Sequence, residues 1–243
     1  AYASILWGWA SRRGYVEANP LTAMEKPPAP AARERVLRDD ELALTWRAAD
    51  AAPMIWATFF RLLILTGQRR SEVSGMRWEE LDRKSAVWLI PTTRAKNGQA
   101  HLVPLSDAAV AQIDLAAGGP EWPQRGYVLT TTSRSAVSGI SKAKAALDAI
   151  ITSLNGDQTL EPWRLHDLRR TVATGLQRLG VRFEVTEAVL NHVSGAKGGV
   201  AGVYQRHDWA DEKRAALQAW AEHVERLRTG ADQTNVVRLE VRT

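Results

Sequence analysis

The sequence predicts an α+β fold, mainly α-helical, with one small antiparallel β-sheet. Three observations carry that prediction. Apolar residues recur at helical spacing over most of the chain, as at Ile55, Phe59, Leu62 and Leu63. After Trp78 the period changes, and Ala86–Ile90 and His101–Leu105 read as short runs of β-formers. Between them stands Asn97-Gly98, the dipeptide that most strongly signals a hairpin.

Taken in order, residues 2–14 read as a helix with Ile5, Leu6, Trp9 and Ala10 on one face and Gly14 as its stop. Asn19-Pro20-Leu21 starts a turn or short helix. Lys26–Arg35 is proline-rich and basic, the composition of an extended linker. It divides the chain into residues 1–25, a linker 26–35, a main domain 36–230 and a tail 231–243. In the main domain, Asp39 or Asp40 suits the N-cap of a helix from Glu41 to Ala51. A second helix runs from about Pro53 to Thr66, Gly67 interrupts it, and Ser71–Met76 add a helical turn or two. Past the hairpin, Ser106-Asp107 caps a helix from Ala108 to Ala116, and Tyr127–Leu129 reads as a third strand. Further helices are expected at Ser135–Ile150, Leu168–Leu179, Phe183–Leu190, Gly199–Tyr204 and Asp211–Leu227. Val236–Val241 alternates like a strand and is expected to pair with a sheet edge, its own or a neighbour's.

Composition bounds the function. With 243 residues the chain can hold one large core or a domain with an appendage. A formal charge of +5 favours a polyanionic partner without identifying one. The lack of cysteine excludes disulfides and thiolate metal sites and fits a cytosolic setting. No apolar run approaches the roughly 20 residues of a membrane span. Arg12 and Arg13 interrupt the first apolar stretch, so it does not read as a signal peptide. The first residue is not methionine, and the chain reads as a piece of something longer.

One constellation carries chemistry. His166 and Arg169 lie one helical turn apart, His192 and Tyr204 follow, and Arg69 closes the apolar helix upstream. Arginine forks suit the non-bridging oxygens of a phosphodiester under attack. Lys96 opens the Asn97-Gly98 turn, where it could protonate a leaving 5′ oxygen or contact a phosphate or base edge. His192 can donate to a phosphate oxygen. Tyr204 can serve as nucleophile if nearby cations or a base help remove its proton. The glycines before it (Gly195, Gly198, Gly199 and Gly202) free that segment from simple core packing. Read singly, each has an ordinary alternative: a solvated arginine, a hairpin lysine, a capping histidine, a half-buried tyrosine. A metal site drawn from His166, His192 and His207 lacks the spacing and cysteine partners it would want. A nucleophile elbow and a phosphate-binding glycine loop are likewise absent.

In this order the residues resemble the tyrosine recombinase (phage integrase) family, and among its members the prophage and genomic-island integrases. Thr66-Gly67-Gln68-Arg69-Arg70-Ser71-Glu72 matches the family's first arginine motif, Lys96 its hairpin lysine, and His166-Asp167-Leu168-Arg169 its His-x-x-Arg motif. His192 matches the later His or Trp position and Tyr204 the nucleophile. Asn191 departs from the glycine that commonly precedes that histidine, and Arg70 adds a second cation beside Arg69. The resemblance implies a tyrosine recombinase catalytic fold over residues 36–230. It also implies that residues 1–25 are the end of a helical core-binding domain.

The implied activity is site-specific DNA recombination through a 3′-phosphotyrosyl link, without metal or nucleotide cofactor. Arg69, Arg169 and His192 would stabilise the phosphorane, Lys96 would protonate the leaving oxygen, and His166 would assist proton transfer. The implied partners are double-stranded DNA at attachment sites, a homotetramer of the full-length enzyme on DNA, and DNA-bending helper proteins. The chain itself would be monomeric in solution and, in the cell, bacterial, cytoplasmic and nucleoid-associated. Two other readings are a type IB topoisomerase, which would relax supercoils as a monomer, and a non-catalytic DNA-binding module.

Overall fold

The computed structural model describes residues 2–24, 34–192 and 209–230. The chain divides into two compact units, residues 1–34 and 35–243. In the smaller unit, α1 (Tyr2–Arg12) buries none of its residues and Gly14 ends it at a left-handed φ of 74°. Trp9 stacks on Tyr15 at 5.5 Å, and Asn19 Nδ2 donates to Ser4 O at 3.2 Å.

The larger unit is α+β and mainly helical. Its helices are α2 (Asp39–Asp50), α3 (Met54–Thr66), α4 (Arg70–Ser74), α5 (Asp107–Ala117), α6 (Ile140–Leu154), α7 (Leu165–Arg178), α8 (Phe183–Val189) and α9 (Ala210–Thr229). The centre is α3, whose Phe59, Phe60, Leu62, Leu63, Ile64 and Leu65 are all buried. A helix apolar on so many faces must be surrounded, and α2, α5, α7 and α9 pack around it. Trp220 of α9 donates from Nε1 to Ile64 O at 2.8 Å. Its ring lies on Gly175, where a Cβ would stand 2.1 Å away.

The sheet has strand order β1-β2-β3, with β1 at Leu81–Asp82, β2 at Val87–Ile90 and β3 at His101–Pro104. Both pairings are antiparallel, with Ile90 opposite His101 and Leu81 opposite Trp88. Trp88, Ile90, His101 and Val103 are all buried. The period of two sets them on one face.

Several elements differ from their expected places. The third strand is Leu81–Asp82; Tyr127 makes only an isolated bridge to Arg77. The strands β2 and β3 are joined by residues 91–100, so Asn97-Gly98 is one turn within a longer loop, closed by Gly98 N donating to Ala95 O at 2.9 Å. Neither aspartate caps α2. Glu41, at the third helical position, accepts from the Arg38 amide at 2.8 Å, leaving Asp39 and Asp40 in the first turn. Helix α6 begins at Ile140 because Thr130 and Thr132 bond Ser135 locally, and such hydroxyl bonds compete with helix. Helix α7 gains a turn because Asp167 accepts from the Arg164 amide at 2.8 Å, which places His166 on the helix with Arg169. Ser106 does cap α5, accepting from Ala109 N at 3.3 Å. The expected helix Gly199–Tyr204 and strand Val236–Val241 lie outside the described residues, as do residue 25 and linker residues 26–33.

Candidate active site

The floor of the site begins where α3 stops. Gly67 takes a left-handed φ of 63°, and a Cβ there would meet Val172 Cγ1 at 2.9 Å. Glycine is therefore required both for the turn and for the approach of α7. Two residues on, Arg69 precedes α4. Buried Glu72 accepts from its amide at 2.9 Å and from its Nη1 at 3.0 Å. One carboxylate thus fixes both the backbone and the guanidinium.

Arg169 comes from α7 and is only 3% exposed. Its Nη1 donates to Gly67 O at 2.8 Å and its Nη2 to Leu190 O. Its Nε has no hydrogen-bond partner among the described residues. Burial, reinforced by the neighbouring Arg69, pushes its pKa down to about 10, still high enough to hold the charge at neutral pH.

The two arginines lean on adjacent carbonyls within a set of three at the end of α8. Such terminal carbonyls lack partners within the helix, and here side chains supply them. Val189 O accepts from Gln68 Nε2 at 2.8 Å and from His101 Nε2 at 3.0 Å. Leu190 O takes Arg169. Asn191 O takes Arg69 Nη2 at 3.4 Å and Asn97 Nδ2 at 3.3 Å. The bond to Val189 O requires a proton on His101 Nε2. Desolvation, then the nearby Lys213, lowers the His101 pKa to about 3, so the ring stays neutral.

His192 follows directly. Its Nδ1 donates to Glu187 Oε1 at 2.9 Å, which leaves Nε2 as the ring nitrogen without a bond among the described residues. Its ring is 38% exposed. Asn191, the departure from the expected glycine, has a φ of +49°. The backbone is left-handed there, and asparagine is among the few residues that tolerate it.

The rim is different in kind. His166 is exposed near the start of α7. Partial desolvation, then Arg170 and Arg169, lower its pKa below the usual histidine value, favouring the neutral ring. Lys96 is exposed on the 91–100 loop. A cleft of about 750 Å³ brings Arg69, Lys96, His166 and Arg169 together from three separated segments. Beside them it is lined by Lys144, whose Nζ lies 3.6 Å from the centre of the Trp163 ring and 2.6 Å from Asp148.

His192 does not line the cleft but joins it through Asn191 and Arg69. Tyr204 and His207 lie outside the described residues. The sequence reading missed Gln68, His101 and the site contacts of Asn97. Of these only Asn97 carried a signal, and it was a turn signal. Such a cluster can hold a tetrahedral or trigonal-bipyramidal anion against fixed cationic donors, with a neutral histidine and a lysine at its edge for proton movement.

Comparison with known proteins gives a family and a fold. The model of the phage integrase family matches residues 35–207. Prophage integrase IntA of Escherichia coli K12 is 29% identical over 234 residues, which cover 92% of this chain and 52% of that protein. The chain thus spans about half the length of this curated relative. The integrase of mycobacterium phage Brujita superposes with a TM-score of 0.58 at 14% identity, covering 93% of this chain and 74% of the other. A lambda integrase tetramer bound to a Holliday junction gives 0.58 at 19% identity, with coverages of 81% and 57%. At such identities the structural likeness is one of fold.

Proposed function

The chain belongs to the phage integrase family, and from that membership we propose that it carries the catalytic domain, residues 36–230, of a site-specific DNA recombinase. Tyr204 attacks a DNA phosphodiester; its oxygen bonds to phosphorus as the bond to the 5′ oxygen breaks. The products are a 3′-phosphotyrosyl link and a 5′-hydroxyl. A 5′-hydroxyl from a partner strand then reverses the step, releasing tyrosine and conserving bond energy.

One observation carries this reading. Two arginines from distant segments are pinned to adjacent carbonyls at the end of α8 and share one cleft with Lys96 and His166. Arg69 and Arg169, with His192 beside them, offset the charge gained by the phosphorane. Donors held in place before the reaction need no reorganisation during it. Neutral His166 assists removal of the phenol proton, and Lys96 gives a proton to the 5′ oxygen. No residue in this scheme calls for a metal or nucleotide. Among the described residues no helix is long and apolar enough to cross a membrane.

The proposed partner is double-stranded DNA at paired attachment sites, bound by a tetramer of the full-length protein. The likeness to a lambda integrase tetramer on a Holliday junction supports this. We place the reaction at the bacterial nucleoid, with DNA-bending proteins assisting assembly. The test uses Tyr204→Phe in the full-length protein on a nicked duplex that traps the covalent intermediate. The expected result is loss of the protein–DNA adduct. An adduct that persists would assign the nucleophile elsewhere.

A further inference from the structure

We propose that the side-chain amides of Asn97 and Asn191 form a clasp that positions Lys96 at the leaving 5′ oxygen. This rests on the reading of Lys96 as the general acid and deepens it. Lys96 is exposed on a loop of ten residues, 91–100, between β2 and β3. A long, flexible side chain on such a loop delivers a proton efficiently only if its backbone is held near the reacting atoms.

Arg94 ties the loop to Glu80 Oε2 at 2.9 Å and to Glu72 O at 3.1 Å, and the residue adjacent to Lys96 adds a hold on the site itself. Asn97 Nδ2 donates to Asn191 Oδ1 at 2.8 Å and to Asn191 O at 3.3 Å. Asn191 Nδ2 donates back to Asn97 Oδ1 at 3.3 Å. Asn97 Oδ1 also accepts from Gln99 N at 3.2 Å, which ties the clasp to the turn that carries Lys96. On the other side, Asn191 O accepts from Arg69 Nη2, and the next residue is His192. The clasp therefore joins the proton donor's loop to the segment that holds an arginine and a histidine of the same site.

Asn191 has the backbone for this and a side chain that glycine would lack. Its left-handed φ of +49° is a conformation glycine takes without cost, yet the residue is only 8% exposed and its amide is bonded through both its oxygen and its nitrogen. Neither amide titrates, so the hold is independent of pH. Both asparagines act through Lys96 and touch no reacting atom.

The experiment measures single-turnover cleavage by the full-length protein and three variants, Asn191→Gly, Asn97→Ala and the double substitution. Each is given two nicked duplexes, one with an ordinary scissile phosphodiester and one with a 5′-bridging phosphorothiolate. The thiolate leaves without needing a proton, so a defect confined to proton delivery disappears on that substrate. Asn191→Gly keeps the left-handed backbone accessible and removes only the amide. Each single variant is expected to cleave the ordinary substrate about tenfold more slowly and the phosphorothiolate within about twofold of the parent. The double variant is expected to lose no more than either single one, because both remove the same pair. Equal loss on both substrates, or no loss on either, overturns the clasp. Lys96→Ala serves as reference. If the phosphorothiolate rescues it but not the asparagine variants, the clasp alone fails. If it is not rescued, the general-acid reading of Lys96 fails first, and the clasp with it.

Discussion

The floor and the rim of the cleft hold their polar side chains in opposite ways. On the floor, Arg169 is buried against two carbonyls and Arg69 is locked by Glu72. On the rim, Lys96 and His166 are exposed. The difference follows from the work proposed for each. Donors that stabilise a developing charge act best when desolvated and fixed. Groups that move protons must change state, and burial would pull their pKa values away from the working range. The rim therefore leaves Lys96 in water and His166 only partly desolvated, and the 91–100 loop is anchored by Arg94 to Glu80 and Glu72 O and by Asn97 to Asn191.

Substitutions can break or sharpen this contrast. The largest effect is expected from Arg169→Ala, which removes a floor donor and leaves Gly67 O and Leu190 O without it. Adduct formation should fall by about 10³-fold, and Arg169→Lys should recover little, since one ammonium cannot reproduce the fork. A loss no greater than that of Lys96→Ala, measured side by side, would erase the distinction between floor and rim.

Gly67→Ala comes next. It forces a side chain into a left-handed turn and against Val172, costing roughly 2–5 kcal/mol in all. Denaturant midpoints should show this, with an activity loss larger than the fraction unfolded explains, because Gly67 O orients Arg169. Activity that tracks the folded fraction alone would mean the floor is not so finely placed.

The smallest effect is a pH slope. His101 is neutral when folded, with a pKa near 3, against an ordinary value of 6.5 when unfolded. Between those values the unfolded chain binds the extra proton, so this stabilisation is complete above pH 6.5 and is lost as pH falls toward 3. His101→Gln removes the titration, and stability plotted between pH 6 and 4 should flatten by at most about 1.4 kcal/mol per pH unit. An unchanged slope would show that the ring under the floor is not held neutral by its burial.

Much of this was legible in advance because it is local. The apolar run of α3 read as a helix. Gly67 after it read as an interruption, and the period change at Ala86–Ile90 as a strand. His166 and Arg169 share a helix turn by spacing alone. The errors fell where side chains overrode local preference. Glu41 took the capping role from two aspartates, and the hydroxyls of Thr130, Thr132 and Ser135 delayed α6 by five positions. The tight hairpin became a loop because Asn97 bonds a residue 94 positions away rather than closing a two-residue turn.

By itself the sequence determined the helical framework, the small sheet and the order of a phosphate-binding set, because periodicity and motif spacing are properties of neighbours along the chain. Only the tertiary structure decided that Arg69, Arg169, Gln68, His101 and Asn97 converge on three consecutive carbonyls at the end of α8. Backbone carbonyls carry no mark in a sequence, since every residue has one. Which of them lacks a partner within its helix, and which distant donor reaches it, depends on how the elements pack.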